Sequence, residues 1–279
     1  MCQGAGQRQR AAEEAEEYKM EIKTLEKNKE KISLLAKGID ASYANTIRRL
    51  IIDEVPTMAI KFVTFDKNTS ALYDEMIAHR FGLVVLKTDL ESYNLQEKCK
   101  CNGKGCSRCQ AEFSLKAVGP CNVYAEEIKF KDQKIKAVYP KTLILKLAKG
   151  QLLSTEGIAT LGKGKQHTKY APALVYYRSY PIIKINQNED TSAAVKVCPT
   201  HVFRLTGKKA NVVEPLKCIL CMACVDACNN AITVEGSKTD FLMFIESYGQ
   251  LKHKEIVETA ISVMNEKLDD FGKALKAVK

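Results

Sequence analysis

Eleven cysteines stand in a chain of 279 residues, and ten of them fall in two groups, Cys99 to Cys121 and Cys198 to Cys228, with Cys2 alone. Thiolates are soft, polarisable ligands, and in a reducing compartment such groups read as metal sites rather than disulfides. In the second group Cys218, Cys221, Cys224 and Cys228 follow C-x2-C-x2-C-x3-C, the spacing of bacterial-type ferredoxins. Zinc prefers two separated pairs of ligands, whereas three closely spaced thiols wrap one compact object and suit three corners of a four-iron cube.

An internal repeat points to the fourth ligand. Cys198-Pro199-Thr200-His201-Val202-Phe203 and Cys228-Asn229-Asn230-Ala231-Ile232-Thr233 both lead from a cysteine through a polar turn into a strand-like run. In two-cluster ferredoxins the last cysteine of each half serves the cluster of the other half. That rule joins Cys198 to Cys218, Cys221 and Cys224. It leaves Cys228 a free thiol, because Asn188, Thr191 and Ala194 stand where its companions would be. One [4Fe-4S] cluster is expected; a zinc site or a redox-sensing thiol set is the alternative. A segment of roughly fifty residues folds only marginally without metal or disulfide help, so the cluster is expected to be a structural staple, with redox sensing the lesser reading.

In the first group, Cys99-Lys100-Cys101 and Cys106-Ser107-Arg108-Cys109 form two ligand pairs around Asn102-Gly103-Lys104-Gly105. Four thiolates so arranged can surround a structural zinc ion tetrahedrally; unmetallated thiols or an oxidative disulfide are the alternatives. Cys121 reads as a buried structural cysteine.

Composition limits what else the chain can be. With 46% hydrophobic and 27% charged residues it is globular. No apolar run approaches the ~18 residues of a membrane span and no secretory h-region is visible, so a soluble cytoplasmic protein is expected. The net charge of +10 is spread along a chain without tryptophan. It fits a solvated surface or an acidic partner better than a base-stacking platform, although a nucleic-acid adaptor would show the same sign. No Walker loop, HExxH helix, flavin or dinucleotide motif or dense aspartate cluster is present, and Asp53, Asp66, Asp74 and Asp89 are isolated, so no catalytic residue is assigned.

The elements that must carry these groups follow from periodicity. Residues 1 to 19 lack apolar pattern and read as a mobile leader, with Met20 a candidate natural start. Alternation from Ile22 to Ile39 predicts a hairpin. Asp40 caps a helix to about Asp53, in which Ala44, Ile47, Leu50 and Ile51 form a stripe and Pro56 forbids continuation. Arg48 and Arg49 lie off that stripe, suited to carboxylates or phosphates, or simply to water. A second helix is expected over Ala71 to Phe81 with Leu72, Met76 and Ile77 inward, then a strand at Leu83 to Leu86. Antiparallel strands are expected over residues 110 to 150, and another at Phe241 to Ser247. Ile256, Val257, Ala260, Val263, Met264 and Phe271 mark a long amphipathic C-terminal helix. The class is α+β.

The segment ISLLAKGIDASYANTIRRLIIDEVPTMAI, the GKGCSRC tip, the GKGKQHTKYAPA loop, the ferredoxin-like insert and the terminal helix together resemble the D-type subunits of archaeal DNA-directed RNA polymerase. That family is similar to the bacterial polymerase alpha N-terminal domain and the third-largest eukaryotic polymerase subunit. The resemblance covers about Met20 to Lys279. It implies a split dimerisation domain (20–55 and 238–279), an insert domain (56–185) and a ferredoxin-like domain (186–237). It also implies a dimer with the smaller subunit L that serves as an assembly platform for the two large catalytic subunits, with subunits N and P joining. Candidate interface residues are then Ile47, Leu50, Ile51, Val257, Ala260, Ile261 and Met264, some inward and some facing L. His167 in the GKGKQHTKY loop is the histidine best placed for partner contact. The alternative class is a ferredoxin-like electron-transfer subunit of an oxidoreductase.

Overall fold

The computed structural model describes residues 20–186 and 188–278; the leader and Cys2 lie outside them. In chain order come strands β1 (Glu21–Lys27) and β2 (Lys31–Lys37), helix α1 (Ala41–Glu54), β3 (Thr57–Asn68), helix α2 (Asp74–Gly82), β4 (Gln110–Val118), β5 (Cys121–Tyr124), β6 (Lys129–Phe130), β7 (Leu143–Leu147), β8 (Leu152–Gly162) and β9 (Ala173–Ile185). Helix α3 (Ser192–Val197), β10 (Phe203–Thr206), β11 (Lys209–Val212), helix α4 (Ala223–Ala227), β12 (Ile232–Ser247) and helix α5 (His253–Ala277) complete the chain. The sheets run β1-β2-β12-β9, β3-β8-β4-β6, β5-β7 and β10-β11. The architecture is mixed helix and sheet, as expected.

Two compact units divide the chain. One takes in the described residues up to Glu26, Ser33–Asn45 and Tyr176–Phe244. Its sulfur-rich core gathers Cys198, Cys218, Cys224 and Cys228 with Val202, Phe203, Ile232 and Val234.

The other unit holds Lys27–Ile32, Thr46–Val175 and the chain from Ile245 on. Strand β4 alternates, with Ala111, Phe113, Leu115 and Ala117 inward, as half-buried strands do. Phe113 packs between Phe81 and Phe130 at ring distances of 5.7 and 5.5 Å. Strand β8 passes so close that a Cβ on Gly157 would lie 2.3 Å from the Phe62 carbonyl oxygen, so no larger residue fits.

The expected hairpin, capped helix and terminal helix are present. Asp40 accepts a 2.6 Å hydrogen bond from the Tyr43 amide, as an N-cap does. Other expectations are corrected. Helix α2 starts at Asp74, because the Asn68 and Ser70 side chains bond within 68–72 and hold that stretch as a turn. Met76 faces outward, 52% exposed, while Ile77 and Phe81 are buried. Leu83 to Leu86 forms a single bridge, Leu86 to Ala137, instead of a strand. The strand expected at Phe241 begins already at Ile232. Cys121 is half-buried rather than buried, its Sγ 3.5 Å from the Val118 oxygen.

Glu54 ends helix α1 at 7% exposure and is held by Lys163 Nζ at 2.8 Å and Lys267 Nζ at 2.7 Å. Burial pushes its pKa up, but the two lysines prevail and hold it below the ordinary carboxylate value. A carboxylate lowered on folding stabilises the fold above its unfolded pKa of about 4.3, and that contribution is lost as pH falls through the folded value. Glu54→Gln is therefore expected to cost roughly 1–3 kcal/mol at pH 7 and far less at pH 2, measured by urea unfolding at both pH values.

Candidate metal centres

The four thiols of the first group converge. Cys99 and Cys109 are buried, Cys101 and Cys106 half-buried. Left-handed backbone at Asn102, Gly103 and Gly105 folds the connecting segment back on itself, with φ of 50°, 77° and 91°. The amides of Asn102 and Lys104 donate to the carbonyls of Cys99 and Cys101, closing successive turns. The Sγ atoms lie 3.5 Å (Cys99 to Cys101), 3.6 Å (Cys99 to Cys106 and Cys101 to Cys109) and 3.7 Å (Cys106 to Cys109) apart. All four fall within 4.8 Å of one another. A tetrahedral ion with thiolates at roughly 2.3 Å sets edges of about 3.8 Å, so this spacing fits a single four-coordinate metal.

The thiols divide in acidity. Contact with Cys99 draws Cys101 down to about 6, whereas burial pushes Cys109 up to about 12. The Cys101 thiolate thus forms readily, whereas Cys109 gives up its proton when a cation takes its place.

In the second group, Cys198, Cys218 and Cys224 are buried and Cys221 is exposed. Burial first, then the charges of Cys218, Cys198 and Cys221, push Cys224 up to about 11. Burial opposes ionisation of Cys198, but the amide of Val202, 3.4 Å from its Sγ, and contacts at Thr200 and His201 outweigh burial and lower its pKa. Leu220 and Met222 both hold left-handed φ, 57° and 63°, a conformation that non-glycine residues keep only where the surroundings impose it. Arg178 fixes the approach to this loop by donating to the Leu216 carbonyl.

Cys228 points elsewhere, with its Sγ 3.8 Å from the Thr191 oxygen. Thr191 and Ala194, at two of the positions a second cluster's cysteines would take, are fully buried, and the Thr191 hydroxyl accepts from the Ala210 amide at 2.8 Å.

Other candidates are placed as follows. Ile47, Leu50, Ile51 and Ala260 are buried within the chain, Val257 and Met264 are half-buried, and Ile261 is exposed. Beyond them, Leu268, Phe271 and Leu275 of helix α5 are 60%, 63% and 55% exposed. Of these, the helical pattern had marked only Phe271. Arg49 pairs with Asp53 at 3.7 Å. His167 accepts the Lys169 amide at 3.1 Å and so caps a turn. The lysines on Glu54 were missed, because they lie more than a hundred residues downstream.

Known proteins resemble the chain over nearly its whole length. Residues 60–174 match the RNA polymerase Rpb3/RpoA insert domain. DNA-directed RNA polymerase subunit Rpo3 of Archaeoglobus fulgidus is 34% identical, covering 93% of this chain and 99% of that protein. The chain belongs to the Rpo3/Rpb3 family of RNA polymerase subunits. Subunit Rpo3 of Aeropyrum pernix is 32% identical over 92% of this chain and 96% of its own length. DNA-directed RNA polymerase II subunit rpb3 of Dictyostelium discoideum is 31% identical over 90% and 93%. The archaeal relatives bear the name Rpo3 rather than a D-type designation, and the family is that of the third-largest subunit. Its members are parts of a nucleotidyltransferase complex and are not themselves its catalyst. Among the described residues, no helix is long and apolar enough to cross a membrane.

In the metal-free chain, alkylation at pH 7 is expected to label Cys101 before the buried Cys109; mass spectrometry showing equal labelling would contradict the division in acidity.

Proposed function

We propose that the chain is the non-catalytic assembly-platform subunit of an archaeal cytoplasmic DNA-directed RNA polymerase. Segments 20–55 and 238–279 form its pairing domain, 56–185 the insert domain and 186–237 the ferredoxin-like domain. The partner is the smaller subunit L, and the pair seats subunits N and P and the two large catalytic subunits; DNA is met only through the complex.

The observation that carries this reading is the outer half of helix α5. Ile261, Met264, Leu268, Phe271 and Leu275 follow a 3-4-3-4 spacing, the pattern of a seam between two helices. Within one chain so exposed an apolar row is a liability, and a partner helix removes it from water. Ile47, Leu50, Ile51 and Ala260 support the platform from inside rather than touching L.

Cys198, Cys218, Cys221 and Cys224 would hold one [4Fe-4S] cluster. The C-x2-C-x2-C spacing of Cys218, Cys221 and Cys224 supports this reading. Bound there, the cluster supplies cross-linking of the end of α3, the loop before α4 and helix α4 itself. Cys99, Cys101, Cys106 and Cys109 would hold one zinc ion. The exposed Cys221 favours, as a second reading, electron transfer; it requires rapid reversible reduction by a protein donor, whereas a staple requires loss of fold with loss of iron.

Co-expression with the L subunit from the same genome is expected to give a 1:1 complex, and Phe271→Asp to weaken it roughly a hundredfold or more at unchanged monomer melting temperature. A stable lone monomer indifferent to L would overturn the reading. Anaerobically purified protein is expected to carry iron and zinc together, and Cys221→Ser to lose the iron and destabilise residues 186–237 in hydrogen exchange, leaving zinc in place.

A further inference from the structure

The three residues before Cys99 are each tied to a different element. Gln96 accepts from Lys61 Nζ of β3 at 2.9 Å. Glu97 accepts from Gln166 Nε2 at 3.2 Å. Lys98 pairs with Glu266 of helix α5 at 2.7 Å.

Two of these ties belong to a closed circuit. Gln166 turns its Oε1 to the Lys163 amide at 3.1 Å. Lys163 Nζ reaches Glu54 at 2.8 Å, and Glu54 takes Lys267 Nζ on its other oxygen at 2.7 Å. Lys267 follows Glu266 in sequence, and Glu266 returns to Lys98. The ring thus passes from the edge of the four-thiol loop through the 163–166 loop and the end of helix α1 to the middle of helix α5. Backbone contact reinforces it: Lys165 donates to the Asp53 carbonyl at 3.0 Å, and Gly164 lies so close to the Ile52 oxygen that a Cβ would stand 2.0 Å from it.

Only one link of this ring is deeply buried, the Glu54 carboxylate. The exposed link between Lys98 and Glu266 depends on Lys98 being held still, because an exposed ion pair gains little if its own backbone must first be ordered. Lys98 is the residue before a metal ligand. With the four thiols drawn together its backbone has one position; with them apart, Asn102 to Gly105 offers flexible chain.

We propose that occupancy of the four-thiol site sets the pose of helix α5, through Lys98 and Glu266, so that metal at Cys99–Cys109 controls how firmly the helix presents Leu268, Phe271 and Leu275 to a partner. This rests on the four-thiol metal reading and deepens the pairing reading. Lys98, Glu97 and Glu266 act as positioning residues, and the coupling is thermodynamic: whatever metal does for the helix, a helix held by its partner does for metal affinity.

The test uses the full chain, loaded with zinc and then stripped by a chelator, with backbone hydrogen exchange read by mass spectrometry. Stripping is expected to speed exchange in 262–277 roughly two- to fivefold, the range an exposed ion-pair network can supply. In Lys98→Glu the helix is expected to exchange at the stripped rate with zinc still bound, and Lys98→Glu with Glu266→Lys to restore the slow rate. Stripping that changes 96–109 alone, or a charge swap that restores nothing, overturns the coupling. A chain that takes up no zinc at all overturns the metal reading, and the coupling with it, at the metal quantification. Failure to bind L with helix exchange still responsive to zinc overturns only the pairing reading.

Discussion

A carboxylate at the end of a helix, removed from water and neutralised by lysines from two distant segments, is the interaction on which the larger unit depends. Glu54 cannot stay charged at 7% exposure unless both Lys163 and Lys267 reach it. Satisfying it brings the 163–166 loop and the middle of helix α5 to the same helix end. The close approach of Gly164 to Ile52 is the backbone counterpart of the same requirement. A buried ion pair of this kind adds less to stability than it subtracts from the alternatives, since any register that leaves the carboxylate unpaired is costly.

The two thiol groups illustrate two ways of holding sulfur. In the first, short turns with left-handed residues press four Sγ atoms into the edge lengths of a single tetrahedron. In the second, Cys198 at the end of α3, Cys218 in the loop before α4 and Cys224 within α4 are embedded in an apolar core, while Cys221 is exposed. There burial and mutual charge raise Cys224, and amide contacts favour the thiolate of Cys198. Cys228, buried in the same core, has its Sγ 3.8 Å from the Thr191 oxygen. Thr191 and Ala194, which with Asn188 stand where the repeat would put a second cluster's cysteines, are fully buried.

Much of this was legible in the order of residues. Cysteine spacing marked Cys99, Cys101, Cys106 and Cys109, whose thiols converge. The capped helix from Asp40, the alternating β4 and the amphipathic α5 follow from local pattern, which depends on residues a few positions apart. Met76 misled because its helical spacing is apolar while its side chain stays in water, and Leu83 to Leu86 misled because Val84 and Leu86 are buried without a neighbouring strand to pair beyond the one bridge to Ala137.

Sequence by itself determined that Cys99, Cys101, Cys106 and Cys109 could meet on one metal, where most of the helices and strands lie, and to which family the chain is similar, since spacing, capping and periodicity are local properties of a covalent chain. Only the tertiary structure decided that Glu54 finds Lys163 and Lys267, that Lys98 meets Glu266, and that Ile51 and Ala260 turn inward while Leu268 and Phe271 stay in water. The reason is geometric. One apolar stripe looks the same along its whole length, and which part of it is covered depends on where the rest of the chain comes to lie.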